Sequence, residues 1–216
     1  MDSRWPGTDG AGPVLVKVCG IRSVADAEMC VTEGVDAIGL NFWSGSSREV
    51  EVEEAARIVE AVGGRIAVVG LFVDAGEAEI VDLRERVGFD WVQLHGDEPP
   101  ELVRALGPQA YKALRVRDEH VSEEAERFGG ALVLLDAWVA GQKGGTGERF
   151  DWRLARSVAS RRPVVLAGGL DADNVGEAVR QVGPRAVDVA SGVESSVGEK
   201  DRQKVAAFVA AARAAV

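Results

Sequence analysis

The chain alternates between two textures along nearly its whole length. Short runs rich in Val, Ile, Leu and Ala occur at 14–19, 36–42, 65–73, 89–95, 110–116, 131–136, 163–168 and 186–191. Stretches rich in Glu, Arg and Ala fill the gaps. A run that is apolar throughout, rather than on every second residue, reads as a strand buried on both faces. The intervening stretches place apolar residues at helical spacing. Val52, Ala55, Ala56, Val59 and Val62 are predicted to line one face of a helix, as are Ile80, Leu83 and Val87 in the next. Alternating strands and helices predict a parallel sheet covered by helices. Eight such units in 216 residues predict a (β/α)8 barrel. A doubly wound open sheet is the alternative, and it normally has fewer strands.

An echo of the form helix, glycine, strand recurs as "EGVDAIGL", "VGFDWVQL" and "FGGALVLL". It is a fold signal, with glycine ending a helix in a left-handed cap. No linker or shift in composition divides residues 14–216, so they are expected to form one catalytic domain. Residues 1–13, "MDSRWPGTDGAGP", lack the apolar core of a secretory signal and are expected to be a disordered tail. No apolar stretch approaches the ~18 residues of a membrane span. The net charge of -10 argues against a nucleic-acid partner, which needs a basic face. It leaves room for an anionic small molecule at a locally positive site. Two cysteines, Cys19 and Cys30, are too few for a disulfide framework and suit a reducing cytoplasm.

In a barrel the site is built where the strands end. Here those ends carry Cys19-Gly20, Asn41-Phe42-Trp43 with Arg48 in the loop beyond, Asp74, His95, and Asp136. After Asp136 comes "AWVAGQKGGTGERF", a long Gly-rich loop expected to be a mobile lid. The last two strands end in Gly168-Gly169 and Ser191-Gly192. Glycines let backbone N–H groups approach an oxyanion, and helix N-termini add favourable partial charge. Two such turns on consecutive strands point to a phosphate site. Cys19 and Asp136 are candidates for a base and an acid. Taken alone, the thiol also reads as a small packed hydrophobe, and the carboxylate as a loop cap. Lys17 shares the strand parity of Cys19. Arg48 reads as a solvated arginine or as a fork for a carboxylate. His95 and His120 lack ligand spacing, and the cysteines form no zinc pattern, so no metal is expected. "CGIRSV" lacks a dinucleotide fingerprint.

The segments "KVCGIR", "GLNFWSGSSR", "VGLFVD", "VQLHGDE", "LLDAWVAGQKGGTGERFDW", "LAGGLDADNV" and "VDVASGVESSVGEKD" together resemble the phosphoribosylanthranilate isomerase family of tryptophan biosynthesis. The resemblance runs from Val14 to about Phe208. It implies a cofactor-free barrel that carries out an Amadori rearrangement of a phosphosugar, with no membrane or obligatory protein partner. By the same resemblance Cys19 is the general base and Asp136 the general acid. Arg48 holds the anthranilate carboxylate. Asp188 and His95 serve the sugar, and Gly168, Gly169, Ser191 and Gly192 hold the phosphate. The chain departs from the family pattern at Ser47, usually Pro, and Glu49, usually aromatic. It also departs at Ala190, commonly Ser, and at Trp43 and Trp138, commonly Tyr. A related aminoaldose-phosphate isomerase remains an alternative, although such enzymes use two carboxylates. So does a non-catalytic phosphate-binding barrel. A thiol-redox role finds no C-x-x-C.

Overall fold

The computed structural model describes residues 5–6, 12–137 and 151–215. Among them, eight parallel strands close into a barrel in chain order. They are β1 (Leu15–Cys19), β2 (Ala37–Asn41), β3 (Ala67–Phe72), β4 (Trp91–Leu94), β5 (Ala110–Val116), β6 (Val133–Ala137), β7 (Val164–Leu166) and β8 (Ala186–Val189). The helices between and after them are α1 (Val24–Thr32), α2 (Val52–Val62), α3 (Glu77–Val87), α4 (Pro100–Leu106), α5 (Val121–Arg127), α6 (Trp152–Ala159), α7 (Val175–Val182) and α8 (Arg202–Arg213). The seam closes where β1 pairs with β8, Lys17 opposite Asp188. The architecture is the single-domain (β/α)8 barrel that the repeated texture predicts. The expected lid loop lies largely outside the described residues.

Each strand is buried on both faces for two different reasons. One set of alternate residues meets the helices and joins a large shell that includes Val16, Val18, Ile38, Leu40, Val187 and Val189. The other set points into the barrel and forms a separate cluster with Leu15, Ala37, Val69, Tyr111, Leu134 and Val165. On α2, the buried face is Ala55, Ile58 and Val62, with Val59 packed beside it. Ile58, three residues after Ala55 on the same face, is buried, and the expected Ala56 is only partly so. Gly88 ends α3 in the left-handed conformation, φ 85°, so the repeated glycine is a cap as predicted.

One short element was not foreseen. After β8, a 3-10 turn (Ser191–Val193) leads into an antiparallel ribbon of β9 (Glu194–Ser196) and β10 (Glu199–Lys200). It stands above the C-terminal end of the barrel, before α8.

Four residues of the stretch 1–13 are described, and two of them, Trp5 and Pro6, are buried. Trp5 is 1% exposed and joins the interior cluster with Leu15, Ala37, Ala67 and Trp91. These are the first inward residues of their strands, so the indole fills the barrel from the end where β1 begins. Replacing Trp5 by Ala is expected to cost about 3 kcal/mol, the usual loss for truncating a buried aromatic. Urea unfolding checks it; an unchanged midpoint would mean that the indole contributes nothing to the barrel floor.

Candidate active site

A cavity of about 270 Å3 opens at the C-terminal ends of the strands. Cys19, Arg48, His95, Asp136, Asp188, Gly168, Gly169 and Ser191 all line it, eight of the nine residues singled out in the sequence. Gly192 stands behind the wall. A Cβ there would run into the Leu170 carbonyl oxygen, so Gly192 lets the turn after β8 press against the turn after β7.

The floor of the cavity is ionic. Lys17 is completely buried and its Nζ lies 2.9 Å from Asp188 Oδ2. Burial works against its proton, but Asp188 foremost, together with Cys19 and Tyr111, outweighs that and holds the ammonium well above the usual lysine range. Lys17 also reaches the Cys19 thiol. Gly39 on β2 makes room for this meeting. A Cβ there would lie 2.8 Å from Cys19 Sγ and 3.1 Å from Lys17 Nζ, so a mid-strand glycine marks the close approach of two side chains. Burial pushes the Cys19 thiol up, and the Lys17 ammonium pulls it part of the way back. Burial also raises the other thiol, Cys30 in α1, to about 12.

Across the cavity, Asp136 ends β6. Its Oδ1 accepts the N–H of Ala137 at 2.8 Å, and its Oδ2 lies 3.2 Å from His95 Nε2. His95 is held from below by a buried chain that the sequence reading missed. Tyr111 Oη donates to Gln93 Oε1 at 2.9 Å, which turns the Gln93 amide nitrogen toward His95 Nδ1 at 3.0 Å. An imidazole accepting at Nδ1 carries its proton on Nε2, the nitrogen facing Asp136. Among the described residues, His95 Nε2 and Asp188 Oδ1 are buried with no hydrogen-bond partner. Both belong to residues that line the cavity, where a hydroxylated ligand would satisfy them.

Arg48 enters from the loop between β2 and α2, and its side chain crosses directly over Gly20. A Cβ on Gly20, whose φ is 77°, would sit 2.7 Å from Arg48 Cδ. The turn after β7 places Gly168 at φ 90° and Gly169 at φ 62°. Asn174, 3% exposed, fixes that turn by donating to the Gly169 carbonyl at 2.9 Å and accepting from the Asp171 N–H at 3.1 Å. Asn174 could have been suspected from the sequence, as the polar residue that opens the helix after a double glycine. Trp43, Leu71 and Val73 give the cavity an apolar side. Among the described residues, no cluster of His, Cys, Asp and Glu is arranged to hold a metal ion. Nor is any helix long and apolar enough to cross a membrane.

The fold and the cavity define a (β/α)8 barrel whose strand ends gather a thiol, carboxylates, a histidine, an arginine and two glycine turns around one pocket. Comparison with known proteins narrows this class. The family model for N-(5'phosphoribosyl)anthranilate (PRA) isomerase matches residues 16–211. The N-(5'-phosphoribosyl)anthranilate isomerase of Pelobacter propionicus is 42% identical, over 93% of this chain and 96% of its own. That of Geobacter sp. strain M21 is 46% identical, over 92% and 97%. Among solved structures, phosphoribosyl anthranilate isomerase from Thermotoga maritima superposes with a TM-score of 0.84 at 36% identity, covering 93% of this chain and 99% of that one. A phosphoribosyl anthranilate isomerase in complex with reduced 1-(o-carboxyphenylamino)-1-deoxyribulose 5-phosphate gives a TM-score of 0.81 at 36% identity, with the same coverage. The chain belongs to the N-(5'-phosphoribosyl)anthranilate isomerase family, a family of enzymes.

The Lys17–Asp188 pair generates a test of its own. Removing one partner strands the other charge in the barrel. Lys17→Met is therefore expected to cost about 3–5 kcal/mol, and Lys17→Met with Asp188→Leu to recover much of it. Guanidinium unfolding of the set decides. A double variant no more stable than Lys17→Met would mean that the stranded carboxylate is not the cause.

Proposed function

We propose that this protein isomerises N-(5-phosphoribosyl)anthranilate to 1-(2-carboxyphenylamino)-1-deoxyribulose 5-phosphate, a step of tryptophan biosynthesis, by general acid–base catalysis. The observation that carries the reading is a thiol on β1 and a carboxyl group on β6 lining one cavity, in a chain of this family. Asp136 is the acid. With His95 Nε2 3.2 Å from its Oδ2, it delivers a proton to the ribose ring oxygen, so that the ring opens to a Schiff base with the anilino nitrogen. The cationic iminium then acidifies the proton on C2 of the sugar. It also brings a positive charge toward Cys19, where with Lys17 it favours the thiolate that burial otherwise disfavours.

Cys19 takes the C2 proton, and the resulting enolamine tautomerises to the ketone by moving a proton from the C2 hydroxyl to C1. One proton has left Asp136 and one has arrived at Cys19, so the enzyme resets when that proton returns through solvent. Asp188 Oδ1 is free to accept a sugar hydroxyl, and the turns at Gly168-Gly169 and Ser191-Gly192 receive the phosphate on backbone N–H groups. Arg48 receives the anthranilate carboxylate. The chemistry uses only groups of the chain itself. Two buried free thiols fit a reducing compartment such as the cytoplasm.

The direct test follows the loss of fluorescence of freshly generated phosphoribosylanthranilate. The parent should turn it over. Cys19→Ser and Asp136→Asn should each lower kcat at least ~10²-fold, the usual contribution of a positioned acid or base, while the substrate still binds. Near-parent turnover in either variant would remove that residue from its role.

The phosphate site predicts a different kinetic signature. The phosphate is remote from the reacting carbons and supplies mainly uniform binding. Asn174→Ala, which frees the Gly169 carbonyl, should raise KM severalfold and change kcat little, and inorganic phosphate should inhibit it more weakly than it inhibits the parent. A fall in kcat at unchanged KM would place Asn174 with the chemistry instead.

A further inference from the structure

Arg48 does not wait in the cavity as an unpaired cation. Its Nε donates to Glu194 Oε1 at 2.7 Å and its Nη2 to Glu194 Oε2 at 2.8 Å, the planar fork-on-fork geometry that fixes a guanidinium's orientation. Lys200 completes the group. It is the residue paired with Glu194 across the β9–β10 ribbon, and its Nζ donates to Glu194 Oε1 at 2.8 Å and to the Ala190 carbonyl at 3.2 Å. The Glu194 and Lys200 side chains are almost wholly inaccessible, at 5% and 0% exposed, whereas Arg48 keeps 14% and lines the cavity. Burial works against the Glu194 carboxylate, but the hydrogen bonds from Arg48 and Lys200 outweigh it and hold the group below the usual carboxylate range.

We propose that Glu194 and Lys200 form a clamp that orients Arg48 and leaves it a surplus positive charge, so that the ribbon after β8 sets the preference for a substrate bearing an anthranilate carboxylate. The proposal rests on the reading of Arg48 as the carboxylate-binding residue. Two of the five guanidinium hydrogens are spent on Glu194. Those on Nη1, and the second on Nη2, remain for a ligand. Alone, Glu194 would cancel the charge of Arg48 and leave a carboxylate little to bind. Within this group of three Lys200 restores one positive charge, from a buried position where solvent screens it poorly, and the Asp26 carboxylate of α1, which interacts with Lys200 from its other side, offsets part of it. Without Glu194 the two cations repel each other, and the Arg48 guanidinium, beyond the stem that crosses Gly20, loses its fixed direction.

The experiment measures one ratio: affinity for the reduced product analogue 1-(o-carboxyphenylamino)-1-deoxyribitol 5-phosphate over affinity for the same molecule without the carboxylate, by calorimetry. In the parent the carboxylate should be worth roughly 10- to 100-fold, the range of hydrogen bonds to a charged group. In Glu194→Gln and in Lys200→Met that preference should fall to about 3-fold or less, while the molecule lacking the carboxylate binds as it does to the parent. A variant that has simply lost its fold would lose both ligands, which separates misfolding from the proposed effect. Arg48→Ala distinguishes the two levels of the reading. If it keeps the carboxylate preference, Arg48 is not the receptor and both readings fall. If Arg48→Ala abolishes the preference but Glu194→Gln retains or strengthens it, Glu194 is a competitor rather than a clamp, and only the present proposal is overturned.

Discussion

The ion pair between Lys17 and Asp188 is the constraint around which the upper half of the barrel is arranged. It joins the first strand to the last, across the seam where the sheet closes, inside a sheet that buries mainly apolar side chains. Two charges in such a place are costly unless each satisfies the other, and the geometry must therefore be kept. That requirement propagates. Lys17 fixes where a cation meets Cys19, two residues further along β1. Gly39 must have no side chain, because the ammonium and the thiol occupy that space. Asp188 keeps one oxygen on Lys17 and presents the other, buried and unpartnered among the described residues, in a residue that lines the cavity. A pair that would be a poor device for stability alone is a good one for holding several polar groups in register.

The lower half of the barrel is built on the opposite principle. Leu15, Ala37, Ala67 and Trp91 meet at the end where the strands begin, and Trp5 closes that end with an indole. On several strands the inward residues thus pass from apolar at the start to polar at the finish: Leu15, Lys17, Cys19 on β1, and Leu134, Asp136 on β6. Polar groups that chemistry needs are concentrated at one end, and packing at the other offsets their cost.

This gradient explains how much could be read from the chain alone. The strands announced themselves because both their faces are buried, which gives continuous apolar runs. The site residues at strand ends were legible because in this topology a strand's last inward residue must face the cavity. Gln93 and Tyr111 were not, since a polar or aromatic residue inside an apolar run carries no mark of the chain of hydrogen bonds it joins, and their partner His95 sits on another level. The β9–β10 ribbon was hidden for a different reason. Its strands are three and two residues long and contain no apolar residue, so neither periodicity nor hydrophobicity outlines them. Arg48 could be placed beside the cavity from its loop, but its partner Glu194 lies 146 residues away and only closure of the barrel brings them together.

The distribution of charge around the cavity gives the ribbon and the glycine turns their separate tasks. Among the described residues, Lys17 is paired with Asp188, and Arg48 and Lys200 share Glu194, on a chain whose formal charge is -10. A ligand bearing both a phosphate and a carboxylate therefore finds no general positive field among these side chains. Recognition has to come from where individual charges and dipoles point. Under the proposed function, the turns after β7 and β8 would supply it through backbone N–H groups, with Gly168 at a φ of 90° and Gly192 leaving room for the Leu170 carbonyl. At the other side of the cavity it is one guanidinium, held at a fixed angle. Under the proposed mechanism, direction in place of net charge would leave the ionisation of Cys19, which burial opposes, to the charge that develops on the substrate.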